Sequence, residues 1–204
     1  MDRLYGWQRH FYDATCKFYL PGRDRLLQRL HVTGNQSVLE VGCGTGRNLA
    51  RLSRPGSGLQ LYGLDVSAQM LRTASRKLGI RAVLRRTFAE CFDHRSTFGL
   101  GEPFDCIFIS YTLSMIPGWQ QVIDCCLRNL KPGNELHIVD FWDQAGWPCF
   151  FRFVLRRWLS LFGVSYRAEM LFYLRALATR GLVTLTIESV ARRYAFLAHL
   201  QKYS

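Results

Sequence analysis

Between residues 36 and 140 the chain alternates short, mostly apolar runs with stretches whose apolar residues recur every three or four positions. The runs Ser37–Val41, Leu59–Leu64, Arg81–Leu84, Phe104–Ile109 and Glu135–Val139 predict five strands. The intervening periodicity predicts helices over Gly46–Ser53, Ala68–Leu78 and Trp119–Leu130, the last stopped by a Lys131-Pro132-Gly133 turn. Strand and helix in this rhythm give a parallel sheet covered on both faces, and ligands of such sheets sit at the carboxyl ends of the strands where the strand order reverses. On one flank, residues 1–30 read as one or two helices. Phe11, Tyr12, Phe18, Tyr19 and Leu20 stop at Pro21-Gly22, and Arg23–Leu30 follows with Leu26, Leu27 and Leu30 on one face. On the other, residues 141–204 are helical and aromatic to about Arg180 and close with two β-like runs, Leu182–Ser189 and Arg193–Leu197. The expectation is one α/β domain over 1–204, with a helical cap (1–30), a core (36–140) and a C-terminal part (141–204).

Composition narrows the class. A chain of 204 residues builds one good core and not two ordinary domains. Its seven cysteines are odd in number and include no CxxC pair or Cys/His cluster with zinc spacing, so free thiols in a reducing, cytoplasmic setting and no metal are expected. The N-terminal stretch is charged and amphipathic, unlike a signal peptide. The densest apolar stretch, Trp147 to Phe162, is interrupted by Arg152, Arg156 and Arg157, so it suits lying on a bilayer rather than crossing one. Net charge is +12, carried by 23 arginines and only four lysines. Such a surplus suits a polyanionic partner, either nucleic acid or an anionic membrane surface, and composition does not choose between them.

The chemistry concentrates in Glu40-Val41-Gly42-Cys43-Gly44-Thr45-Gly46-Arg47-Asn48, between the first strand and the first helix. Glycine lets the chain turn sharply and lets a ligand approach bare backbone. The spacing GxGxG is one residue shorter than the dinucleotide fingerprint, and no GK[ST] follows, which excludes a P-loop. A carboxylate two residues before the first glycine repels a pyrophosphate but suits an ammonium. The methionine part of S-adenosylmethionine has one, and its carboxylate accepts from loop amides. Asp65, ending the second strand, is spaced to accept both ribose hydroxyls, while Ser67 is free to cap the next helix. Val66 and Met70 then flank the adenine.

With these two elements the chain resembles the class I methyltransferases over residues 36–140. The resemblance implies a Rossmann-like, doubly wound, mostly parallel seven-stranded sheet with an antiparallel C-terminal strand, and S-adenosylmethionine as cofactor. It assigns the cofactor to Glu40, Gly42, Cys43, Gly44, Thr45, Gly46, Asn48, Asp65, Val66, Met70, Phe88, Ala89, Glu90, Ser110 and Tyr111. Phe88 stands where members of the family often carry an Asp for the adenine amine, so stacking by Phe88 or a contact from Glu90 or backbone has to substitute.

The acceptor is sought after the fourth strand, in Ser110-Tyr111-Thr112-Leu113-Ser114-Met115-Ile116-Pro117, which lacks the (Asn/Asp)-Pro-Pro-(Tyr/Phe) sequence of amino-methyltransferases acting on DNA or glutamine. This segment, together with Arg9–Thr15, Lys17–Leu20, Gly22–Asp24, His137–Phe141 and Arg193–Ala198, resembles the methyltransferases of betaine-lipid synthesis. Those enzymes trimethylate the amine of diacylglyceryl-homoserine, and Cys16 stands where such sequences often have an Arg. An amine must be neutral to attack, so Tyr111, just past the fourth strand, and Asp140, ending the fifth, are the candidate hydrogen-bond acceptors; Tyr12 and Tyr19 are candidates to cap the pocket, Arg23 to hold the homoserine carboxylate, and Ser114 to lie beside the substrate. Residues 141–204 hold nine basic and three acidic residues. Phe150, Trp158 and Phe162 are placed to enter a lipid interface while Arg152 and Arg156 meet phosphates, on the inner face of the plasma membrane. A soluble small-molecule methyltransferase, and a non-catalytic RNA- or protein-binding domain on the same fold, are the alternatives.

Overall fold

A computed structural model describes residues 20–160 and 163–203. Five strands run parallel: β1 (Ser37–Val41), β2 (Gln60–Asp65), β3 (Val83–Arg86), β4 (Phe104–Ser110) and β5 (Leu130–Phe141). Strands β6 (Val183–Val190) and β7 (Ala195–Lys202) complete a seven-stranded sheet of order β3-β2-β1-β4-β5-β7-β6, with β7 antiparallel to both neighbours. The order reverses between β1 and β4, so a crevice opens at their carboxyl ends.

Side chains alternate across the sheet and build a core on each face. On one face Val38, Phe108, Val139 and Leu197 pack under α1 (Arg23–Gln28), α2 (Arg47–Leu52), α3 (Ala68–Leu78) and α6 (Cys149–Ser160), which contribute Leu26, Leu49, Leu78 and Leu159. On the other, Leu39, Ile107, Ile138 and Phe196 meet Phe98, Val122, Ile123 and Leu174 from α4 (His94–Phe98), α5 (Trp119–Arg128) and α7 (Glu169–Thr179). Each fully buried Leu, Ile or Phe stabilises by roughly 1.5–3 kcal/mol, so truncating the sealed Phe108 to Ala is expected to cost about 3–5 kcal/mol.

Several boundaries differ from the sequence reading, each for a local reason. The third strand lies at Val83–Arg86 rather than Arg81–Leu84, because Gly79–Arg81 forms a 3-10 turn after α3 and the edge strand shows no buried row. The fifth strand begins at Leu130, not Glu135. Lys131-Pro132-Gly133 lies within it as an irregularity, where the register passes from Phe104↔Leu130 to Cys106↔Glu135. Helix α4 was not anticipated; Asp93 caps it by accepting from Arg95 and Ser96 amides, and Gly99 ends it at φ 74°. The last strand extends to Lys202. Of the expected cap, α1 falls within the described residues, and Tyr12 and Tyr19 lie outside them. The cysteines among the described residues are free thiols. Among the described residues no helix is long and apolar enough to cross a membrane.

Helix α6 also differs in detail. Phe150, Phe151 and Phe153 are 75%, 58% and 70% exposed, whereas Trp158 is partly buried and packs against the core. Phe162 lies outside the described residues. Arg156 does not point outward: it donates to Gln144 Oε1 (3.1 Å) and the Asp143 carbonyl (2.8 Å), and its guanidinium lies 4.8 Å from the Tyr166 ring centroid.

Candidate active site

The glycine loop crosses the crevice, and its three glycines serve different neighbours. A Cβ on Gly42 would lie 2.4 Å from the Thr112 side chain, and one on Gly46 would lie 2.8 Å from Leu78 Cδ1 and 3.0 Å from Ala74 Cβ. These two positions let the β4 loop and α3 close onto the turn. A Cβ on Gly44 would meet nothing within 4 Å. The bare backbone at Gly44 therefore borders open space, the side from which a ligand reaches the loop.

Glu40 is buried within this turn, with 2% of its surface exposed. Its Oε1 accepts from Asn48 Nδ2 at 2.7 Å, while Glu40 Oε2 and Asn48 Oδ1 are buried without a hydrogen-bond partner. Burial pushes the Glu40 carboxyl up to about 8, against the opposing pull of Asn48 and the Arg23 charge. Two unmet buried acceptors, one acidic, suit an ammonium with several donors and not a phosphate. Cys43 and Thr45 are buried in the same loop, and the Cys43 thiol is pushed well up by its own burial.

Asp65 closes the turn from β2. Its Oδ2 accepts from the Gly44 amide and its Oδ1 from the Ser67 amide, both at 2.8 Å. Each oxygen keeps a further acceptor position. Ser67 caps α3 as expected, its hydroxyl accepting from the Met70 amide at 3.3 Å. The loops after β2 and β3 are joined by Thr87 N to the Asp65 carbonyl (3.3 Å) and Arg86 Nε to the Val66 carbonyl (3.1 Å). Val66 and the 63%-exposed Phe88 offer apolar surface there, with Met70 and Ala89 buried behind them. Glu90 is half-buried and faces Gly118.

The residues expected on the acceptor side take other tasks. Tyr111, at φ 55°, buries its ring edge-on against Phe141 and donates its hydroxyl to the Pro21 carbonyl. Asp140 is fully buried, with Oδ1 accepting from the Phe141 amide (2.8 Å) and Oδ2 from the Ser114 amide (3.1 Å). Burial raises its carboxyl to about 6. Both are buried, and their oxygens engage backbone groups in this arrangement. Ser114 is likewise buried beneath the loop. Arg23 Nε donates to Ser110 Oγ at 3.2 Å, which fastens α1 to the end of β4. Thr112 and the Pro21 carbonyl were not singled out in the sequence. A threonine among apolar residues and a proline before a glycine carry no signal of what they will touch.

Residues 39–136 match the family described as a methyltransferase domain. The chain is 31% identical over 116 residues to the ubiquinone/menaquinone biosynthesis C-methyltransferase UbiE of Pectobacterium carotovorum, covering 54% of this chain and 44% of that protein. It is 26% identical over 153 residues to phosphoethanolamine N-methyltransferase 1 of Zea mays, covering 71% of this chain and 29% of that one. The chain thus spans less than half the length of these relatives. A solved phosphoethanolamine N-methyltransferase 2 of Haemonchus contortus in complex with S-adenosyl-L-methionine superposes with a TM-score of 0.78 at 17% identity, over 100% of this chain and 60% of that one. The fold and the matched segment agree: residues 39–136 are similar to a methyltransferase domain, and the sheet has the fold of a solved methyltransferase in complex with S-adenosyl-L-methionine.

Proposed function

We propose that the chain is an N-methyltransferase of an amino-lipid headgroup, with diacylglyceryl-homoserine the acceptor and the trimethylated betaine lipid the product. Helix α6 carries the lipid part of this reading. Its exposed Phe150, Phe151 and Phe153 share the helix with an exposed Arg157, and its inner side packs on the core through Leu155, Trp158 and Leu159. Aromatic side chains that enter an interface, with arginine at phosphate depth, are the makings of a peripheral membrane contact.

When bound, S-adenosylmethionine supplies a methyl group for in-line displacement at its sulfonium. Glu40 and Asn48 would accept from its ammonium, the Gly44 side of the loop would meet its carboxylate, and Asp65 would accept from the ribose hydroxyls. Val66, Met70, Phe88 and Ala89 would border the adenine, with Glu90 near its amine. Ser110, Tyr111 and Asp140 would support the ends of β4 and β5 where the amine arrives, and Arg23, held at Ser110, would be placed to meet a headgroup carboxylate. Alignment of the two reacting atoms at about 3 Å supplies most of the acceleration, so the residues act by holding rather than by proton transfer.

Incubation with labelled S-adenosylmethionine and vesicles containing diacylglyceryl-homoserine is expected to label the lipid fraction; transfer confined to soluble amines refutes the lipid acceptor. A second reading, a soluble phosphorylated amine as acceptor, is favoured by the maize and Haemonchus relatives, whose names specify phosphoethanolamine. It predicts label in phosphoethanolamine and no sedimentation with anionic vesicles.

A further inference from the structure

We propose that Glu135, His137 and His199 bind a divalent transition metal of the zinc class, at a site within the sheet and apart from the crevice. Glu135 and His137 lie two residues apart on β5 and so share a face; His199 pairs directly with His137 across the β5–β7 ladder. The antiparallel register thus assembles from distant positions a donor set that no sequence spacing announces. His137 Nε2 lies 3.0 Å from Glu135 Oε2, and His199 Nε2 lies 3.1 Å from Glu135 Oε1. The two imidazoles are stacked, centroids 4.8 Å apart and planes at 21°, so both Nε2 atoms converge on the one carboxylate.

The donor atoms all lie within 4.8 Å of one another. Tetrahedral zinc with ligands at about 2.0–2.1 Å separates neighbouring ligand atoms by roughly 3.4 Å. The two nitrogen–oxygen contacts are within a few tenths of an ångström of that spacing, and the widest pair of the set closes by about an ångström through side-chain rotation. Two imidazoles and a carboxylate suit zinc and the neighbouring divalent ions over calcium or magnesium. The His137 ring is buried in the sheet, and its neutral form offers a lone pair to a metal. Its Nδ1 has no hydrogen-bond partner, so no protein contact there fixes the tautomer against metal binding at Nε2. A fourth donor is at hand: His31 Nδ1 lies 3.9 Å from Glu135 Oε2, on the exposed segment joining α1 to β1. Recruitment of His31 would fasten that segment to β5 and β7.

Cobalt(II) titration followed by absorption, together with zinc content after dialysis, tests the site on the full chain. One equivalent per chain is expected, with the ligand-field bands of a nitrogen–oxygen site and a zinc-dependent rise in melting temperature. His199→Ala, at a half-exposed position, is expected to lose at least tenfold in affinity and the thermal rise, and His31→Ala to weaken binding by a smaller factor. Melting of both variants without metal reports on folding separately. Binding below one tenth of an equivalent, unchanged affinity in His199→Ala, or intense sulfur-to-cobalt charge-transfer bands that place the ion on cysteine, each overturns the proposal.

Discussion

Glu40 shows how much one side chain decides. Its carboxyl is held at about 8 by burial, against a usual value of 4.5. Between those values the folded, cofactor-free protein keeps a proton that the unfolded chain has released, so stability falls as pH rises through this window. At 1.36 kcal/mol per unit the whole effect is at most about 5 kcal/mol. Asp140 adds a similar fall that is complete by about 6. Between about 6.5 and 8 the decline belongs to Glu40, and Glu40→Gln is expected to flatten it in urea melts over that range. The same substitution is expected to weaken S-adenosylmethionine at least tenfold, so stability and affinity move in opposite directions. Binding to the native protein at pH 7 is expected to release a proton as Glu40 ionises beside the ammonium; calorimetry in two buffers of different ionisation enthalpy reads it. Asp65→Ala is expected to weaken the cofactor by about 1–3 kcal/mol, and unchanged affinity would mean that the ribose lies elsewhere. The meeting of Glu40 and Asp65 at the glycine loop was legible because their spacing from the glycines is a chemical statement. The backbone partners of Tyr111 and Asp140 were not, because a sequence names the functional group but not the backbone atom that engages it.

At the scale of elements, the loop glycines separate packing from ligand access. Gly42→Ala is expected to destabilise strongly, since its Cβ would overlap Thr112, and to lower the melting temperature. Gly44→Ala meets no neighbour and incurs only the strain of φ 52°, roughly 1–2 kcal/mol, yet it is expected to impair cofactor binding more than stability. On α6, Phe151→Ser with Phe153→Ser is expected to abolish vesicle sedimentation at unchanged melting temperature, because both rings lie outside the core. Buried strands β1 and β4 and helix α3 were readable almost to the residue, since a continuous apolar run and a Ser cap against a closing Gly leave little freedom. Edge strand β3 was displaced because its exposed residues carry no burial signal. The start of β5 was hidden by Pro132 and Gly133, which read as a turn and are accommodated as an irregularity in the ladder. The outward row of α6 was partly misjudged because Arg156 finds Gln144 and Asp143 instead of solvent.

The molecule as a whole carries +12. If α6 brings it to a bilayer, that charge makes attachment electrostatic at range and apolar at contact. Sedimentation with anionic vesicles is expected to fall steeply between 0.05 and about 0.5 M salt as the screening length shrinks to a few ångströms, and neutral vesicles are expected to retain only a residual fraction. A flat salt response would assign the arginines to intramolecular contacts of the kind Arg156 makes.

One feature of the topology reaches beyond the finished structure. Strand β7 follows β6 in chain order, yet it lies inside the sheet between β5 and β6. During synthesis β5 therefore waits with an unpaired edge and an apolar row, Leu136 and Ile138, until residues 195–202 have left the ribosome. The nascent chain keeps that edge open in the interval, and a chaperone's hold on it would have to last until β7 emerges.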